Sequence, residues 1–325
     1  MRRRRFLGGS AAILAAPLLS PDAVAEQPPT LPLIGFLSIG STSFNDARLA
    51  AFREGLQDQG FIEGKNVAVE YRWAAGDPDK LPVLAMELVR LGPAVIVTSG
   101  GARPARAAQE ATRTIPIIAS SAAASVSDFA HPGGNVTGAA TQTNDLNPKR
   151  LEFLHEAVPG AMRVGVLLNP ANSGSTNLVK ALEAAAQSLG IRLVTTGSRD
   201  AGEFDKAFAM MAQAGAEALL VMPDPYFYTR HPEIVALAAR YKLPAIYEWA
   251  EIAKDGGLMA YGESVRALYR RVGDYAGRIL KGAKPGELPL DQPAVIRLVI
   301  NLNTAKEIGF TFPPAIVDLA DEVIE

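Results

Sequence analysis

The chain has 325 residues, 48% hydrophobic and 20% charged, with a formal net charge of −2 and no cysteine. That length suits about two globular domains with real cores, and the near-neutral balance lacks the basic footprint of a nucleic-acid binder. Without cysteine there are no disulfides, thiolate nucleophiles, thiolate metal sites or N-terminal lipid attachment; His131, His155 and His231 have no ligand spacing, so neither metal nor cofactor is expected.

The first segment reads as an address. Arg2 to Arg5 form a positive stretch, an apolar run follows from Phe6 to Leu19, and Ala23-Val24-Ala25 gives the small-x-small pattern of signal peptidase. Residues 1–25 are therefore expected to be a signal peptide, cleaved before Glu26. Arg3-Arg4-Arg5-Phe6-Leu7 also fits the twin-arginine pattern, with the general secretory route as the alternative. The apolar run is shorter than the ~20 residues that span a bilayer. No later segment is long and apolar enough, so the chain is not expected to span a membrane.

Strands then alternate with helices. Ile34–Leu37 is a short apolar strand run, Asn45–Gln59 has helical spacing and stops at Gly60, and Asn66–Trp73 alternates as a strand. Asp77 opens a helix with Pro78 in its first turn, running to Arg90. Val95–Thr98 is a buried strand, and a helix over Pro104–Ala111 leads to the strand Pro116–Ala119. The second half repeats this. Val164–Leu168, Arg192–Thr196, Leu219–Met222 and Pro244–Tyr247 match the four strands, with helices over Thr176–Leu189, Ala201–Ala214 and Pro232–Tyr241. The interval from Gly35 to Gly60 equals that from Gly165 to Gly190, and Asp205-Lys206 falls where Asp79-Lys80 fell.

Tandem halves of this kind predict an α/β fold: two doubly wound parallel-sheet lobes joined by a three-crossing hinge. The crossings are placed near Thr141, at Gly256–Gly262, and from Pro293. A helix over Pro148–Ala157 enters the second lobe, one over Val265–Leu280 packs back on the first, and helices at Asn303–Ile308 and Pro314–Ile324 close the chain. The lobes are expected at 32–140 plus 262–292, and at 141–261 plus 293–325.

Sites in such sheets lie beyond the carboxyl ends of the strands, here the cleft between lobes. Candidate ligand contacts follow by position. Ser41, Thr42 and Ser43 follow the first strand and offer hydroxyls and backbone N–H groups to a carboxylate, or simply cap the next helix. Ser99 and Gly100 follow the third strand and Ser120 the fourth; the glycine permits close backbone approach. In the second half Asn169 and Asn172 hold the place of Ser41–Ser43 and suit a zwitterion, or form a turn. Asp224 could meet an ammonium and Tyr226 a ring or cation, or serve as a helix cap and a packed aromatic. Glu248 and Trp249 follow the fourth strand. Neither a Gly-x-Gly-x-x-Gly nor a P-loop pattern is present, and no nucleophile–base order stands out.

Several stretches together resemble one family. They are Phe61-Ile62-Glu63-Gly64-Lys65-Asn66-Val67, Glu70-Tyr71-Arg72-Trp73, Pro132-Gly133-Gly134-Asn135-Val136-Thr137-Gly138, Leu243-Pro244-Ala245-Ile246-Tyr247, Gly256-Gly257-Leu258-Met259, Ile300 to Lys306 and Ala320 to Ile324. They look like the substrate-binding proteins of ABC transporters in the group related to tryptophan- and tyrosine-binding lipoproteins. The resemblance implies the type I periplasmic-binding-protein fold, a small-molecule ligand, and the permease subunits of an ABC transporter as partners; the chain is expected to be a periplasmic monomer. Two places depart from the family: Ser120–His131 is a shorter loop, and Glu248-Trp249-Ala250 replaces a Gly-Ser-Arg-like stretch. Both fall where the ligand should sit, so its identity is left open between an amino acid-like molecule and an aromatic carboxylate. A periplasmic sensor sharing the fold is the alternative role. An exported enzyme is disfavoured by the missing catalytic motifs, and a repressor by the signal peptide standing where a DNA-binding helix would be.

Overall fold

The computed structural model describes residues 31–41, 46–122, 128–141, 145–172, 175–292 and 295–325. The signal segment, Thr42 and Ser43 lie outside these residues.

The first sheet has five parallel strands in the order β2-β1-β3-β4-β5: β1 (Leu33–Ser38), β2 (Ala68–Trp73), β3 (Val95–Ser99), β4 (Ile117–Ala119) and β5 (Val136–Gly138). Their connections are α1 (Asp46–Asp58), α2 (Leu81–Arg90) and α3 (Ala102–Ala111). All five residues of β3 are buried, as they must be in a strand covered on both faces. The second sheet runs β12-β11-β10-β9-β8-β6-β7. Its first four strands in the chain, β6 (Arg163–Leu168), β7 (Arg192–Gly197), β8 (Ala218–Val221) and β9 (Ala245–Tyr247), pair in parallel. They are connected by α5 (Ser175–Leu189), α6 (Phe204–Gln213), α7 (Pro225–Thr229) and α8 (His231–Arg240), with α4 (Asn147–Ala157) preceding β6.

The two glycine positions that mark the repeat have physical roles. A Cβ at Gly35 would sit 3.3 Å from Leu88 on α2, and one at Gly165 would sit 2.6 Å from Met211 on α6. In each half the missing side chain lets a helix lie close on the first strand. Gly60 and Gly190 have φ of 83° and 70°, the left-handed stop after α1 and α5.

After β9 the chain forms α9 (Ala250–Lys254) and then β10 (Met259–Gly262), which adds to the second sheet. The helix α10 (Val265–Leu280) then returns to the first lobe and packs along α1. Here the backbones nearly touch: a Cβ on Gly55 would lie 1.9 Å from the Arg270 carbonyl, and one on Gly273 2.1 Å from the Phe52 carbonyl. The chain crosses again after Asp291 into β11 (Arg297–Asn301), which pairs antiparallel with β10, and α11 (Leu302–Ile308) follows. The helix expected over Pro314–Ile324 is shorter. The helix α12 ends at Leu319, because Ala320 is extended and the Leu298 N–H donates to Asp321 Oδ2 at 2.8 Å. That bond draws β12 (Glu322–Ile324) into parallel register beside β11. The sequence reading also missed α7 and α9, each too short for its helical periodicity to register, and left β11 unassigned.

Three chain passages therefore meet at the base of the cleft, and Arg271 ties two of them. Its guanidinium bonds Glu263 Oε2 at 2.7 Å and pairs with Asp291, whose backbone in turn bridges to Ala139 at the third passage.

Candidate functional site

The carboxyl ends of both sheets face one cleft of about 810 Å³. From the first lobe it is lined by residues 39–41 after β1, 75–78 after β2, and 100–103 with Arg106 at the start of α3. From the second lobe come Asn169, Ala171 and Asn172 after β6, Arg199 and Asp200 after β7, and residues 224–226, 229 and 230 around α7. Every lining segment follows a strand end, so a ligand here touches loops held by two rigid sheets.

Of the residues singled out from the sequence, Ser41, Gly100, Asn169, Asn172, Asp224 and Tyr226 line this cleft. Asp224 organises its own lobe. Its Oδ1 accepts from the Tyr226 and Phe227 N–H groups at 2.9 and 3.3 Å, capping α7, and from Asn169 Nδ2 at 3.2 Å. Its Oδ2 accepts from Asn172 Nδ2 at 3.3 Å. Burial pushes the Asp224 carboxyl up from its ordinary value, against the pull of these four hydrogen bonds. The Tyr226 hydroxyl accepts from the Ala201 N–H at 2.9 Å, which ties α7 to the loop after β7.

Ser99, Ser120, Glu248 and Trp249 are buried behind the cleft surface, at 0, 4, 7 and 8% exposure. The Ser99 hydroxyl bonds the Tyr269 hydroxyl on α10 at 2.5 Å. Trp249 stands edge-on to Tyr228, ring centroids 6.2 Å apart. Burial raises the Glu248 carboxyl to about 7, although the buried Arg150 guanidinium pulls it down. The rule that sites lie at strand ends finds loops that line the cleft. It does not say which side of a loop each side chain takes, and these four turn inward.

Sequence reasoning missed the charged rim. Arg103 and Arg106 on α3, Arg199 after β7 and Arg230 after α7 all line the cleft, with Asp77 and Asp200. Arg103, Arg199, Asp77 and Asp200 stand within a few residues of a strand end, a position that could have flagged them, whereas Arg106 lies inside α3 and Arg230 beyond α7. Also missed was a contact across the lobes: Arg48 of α1, buried, lies 4.3 Å over the Tyr228 ring of α7 and 5.2 Å over the Tyr269 ring. Arg103 adds a second bridge, donating to the Ala171 carbonyl of the other lobe. Among the described residues there is no cluster of metal-ligating side chains and no helix long and apolar enough to cross a membrane.

A family model described as ABC transporter substrate binding protein matches residues 37–324. A protein named tyrosine-binding protein from Clostridioides difficile is 25% identical over 266 residues, covering 80% of this chain and 76% of that one. The crystal structure of a conserved domain protein from Vibrio cholerae superposes with a TM-score of 0.80 at 25% identity, over 90% of this chain and all of the other (100%). A Streptococcus pneumoniae ABC domain solved with L-Trp gives the same TM-score, 0.80, at 24% identity, covering 91% of this chain and 100% of its own; at that identity the likeness speaks for the fold.

Proposed function

We propose that this chain, which belongs to the family of ABC transporter substrate-binding proteins, takes as its solute a small carboxylate, amino acid-like or aromatic, held in the interlobe cleft. Proteins of this family capture small molecules outside the cytoplasm for an ABC transporter, and binding rather than turnover is their work. One observation carries the ligand assignment: strand-end loops of both lobes line a single cleft of about 810 Å³, a volume suited to one small molecule. The tyrosine-binding relative supports the class.

In this reading the ligand lies among Ser41, Gly100, Asn169, Asn172 and Tyr226, with Asp224 holding the two asparagines in place. The bodies that close on it are residues 32–140 plus 262–292 and 141–261 plus 293–325. Thr42 and Ser43 would complete the carboxylate contacts, and the permease subunits of an ABC transporter would receive the ligand. A thermal-shift screen of the purified protein against amino acids, aromatic acids, sugars and nucleosides tests this, because a ligand that binds only the native state raises its stability. The stabilising compounds should all be carboxylates. Stabilisation by sugars or nucleosides alone would overturn the assignment. Tyr226→Ala should weaken the best hit about tenfold or more by calorimetry, as loss of one well-packed aromatic contact does. The bound compound should be recovered chemically unchanged after long incubation; a product would establish catalysis instead.

The exported form is proposed to begin at Glu26, after the Ala23-Val24-Ala25 pattern. N-terminal sequencing of the periplasmic protein checks this, and an intact Met1 there would refute cleavage. Replacing Arg3 and Arg4 by lysine should block export on the twin-arginine route and leave it unchanged on the general one.

A further inference from the structure

From the charged rim of the cleft we infer that the ligand is a net anion, a carboxylate without a compensating ammonium group, and that Arg106 and Arg199 select it. This rests on the cleft being the ligand site, as proposed above.

The inference follows from which charges in the lining are already committed. Asp77 accepts from the Asp79 N–H at 3.0 Å and pairs with Lys80 at 3.6 Å. Asp200 accepts from the Gly202 N–H at 2.8 Å. Asp224 takes four donors, three on Oδ1 and one on Oδ2. A ligand ammonium would share each of these carboxylates with the donors already on it. The cations are committed differently. Arg230 is paired with Glu233 at 2.7 Å, and Arg103 donates to a backbone carbonyl. Among the described residues, the guanidinium groups of Arg106 and Arg199 have no hydrogen-bond or ion-pair partner, the Arg199 backbone N–H alone donating to Glu203 at 2.7 Å. The charged side chains left without any partner in the cleft are therefore both cations. They stand on a chain whose overall charge is −2, so they are not the by-product of a basic protein.

The placement of the two arginines adds a reason for closure. Arg106 belongs to the first lobe and Arg199 to the second, and both line one cleft. Closing the lobes brings like charges together, which opposes closure at short range. An anion between them reverses the sign of that interaction, and so has the differential affinity for the closed form that a closing ligand needs. A zwitterion brings its own cation and gains less. A guanidinium also offers the planar fork that matches a carboxylate.

A matched pair of probes isolates the charge: L-tyrosine and 3-(4-hydroxyphenyl)propanoate, which differ by the ammonium alone. Calorimetry with the purified protein at low ionic strength should show the propanoate binding at least about tenfold more tightly, the worth of one charge-assisted hydrogen bond. Added salt should weaken that preference, because the rim arginines are exposed. The double variant Arg106→Gln/Arg199→Gln should weaken the propanoate at least about tenfold and tyrosine by less, so that the preference is lost; both residues are exposed, so its unfolding midpoint should stay at the wild-type value. Tyrosine binding as tightly as the propanoate, or more so, would overturn the anion assignment and leave the cleft reading intact. Failure of tyrosine, tryptophan, the propanoate and benzoate alike would overturn both.

Discussion

Glu248 stands at the end of β9 with its carboxyl sealed from water, and burial lifts it to about 7 from an ordinary 4.5. A carboxyl raised in the native state holds its proton where the unfolded chain has lost it. Its contribution is therefore full below about pH 4.5, shrinks as pH rises toward 7, and is gone above that. The expected outcome is a fall of up to about 3 kcal/mol in unfolding free energy across that window. Urea titrations at several pH values would show it, and Glu248→Gln should flatten the curve. A wild-type curve already flat between these values would mean that Arg150 keeps the group ionised. At this scale the sequence was half legible. It placed Glu248 and Trp249 beside the cleft by the strand-end rule, but whether a residue after a strand turns outward or inward depends on packing partners such as Tyr228 and Arg150, which lie far away in the chain.

Elements were more legible, because periodicity is local. The helix α10 was read at its observed bounds from its apolar spacing, and its preceding Ser264 caps it by accepting from the Ala267 N–H at 3.3 Å. Its partner could not be read, since α1 lies at the other end of the chain. That partnership rests on Gly55 and Gly273, where any side chain would collide with the facing backbone. Gly273→Ala should therefore cost about 1–3 kcal/mol or more, with the melting temperature falling about 2–4 °C for each kcal/mol. The exposed ion pairs along the same seam, Arg266–Glu54 and Arg270–Asp58, matter less. Arg266→Ala should shift stability by no more than about 1 kcal/mol in the same thermal scan. If both substitutions gave equal losses, the seam would be electrostatic and not steric. What escaped the sequence reading at this scale was β12, whose place is fixed by the Asp321–Leu298 bond and not by any pattern of its own.

The two lobes touch each other directly. Arg48 over Tyr228 and Arg103 on the Ala171 carbonyl bridge them. A desolvated cation–π contact is worth about 2 kcal/mol, so its loss shifts an open–closed equilibrium by more than tenfold. Tyr228→Ala should therefore enlarge the radius of gyration of the ligand-free protein in small-angle scattering, and a saturating ligand should restore it. An unchanged radius would show that the hinge itself, tied by Arg271, sets the angle. The two-lobed plan was legible from the repeated strand–helix order, since two halves that bury the same pattern must build the same sheet. The bridges were not, because each joins residues from different halves.

The return of α10 to α1 has a consequence for how the chain comes into being. Until residue 280 or so has left the ribosome, the Gly55 face of α1 lacks the helix that covers it. The first lobe begins first and finishes late, after the strands β6 to β10 have been synthesised. Contacts so distant in sequence form slowly and leave apolar surface open in the meantime. For nearly the whole of its synthesis the nascent chain is thus an unfinished client for chaperones, and neither half can be released as a domain folded on its own.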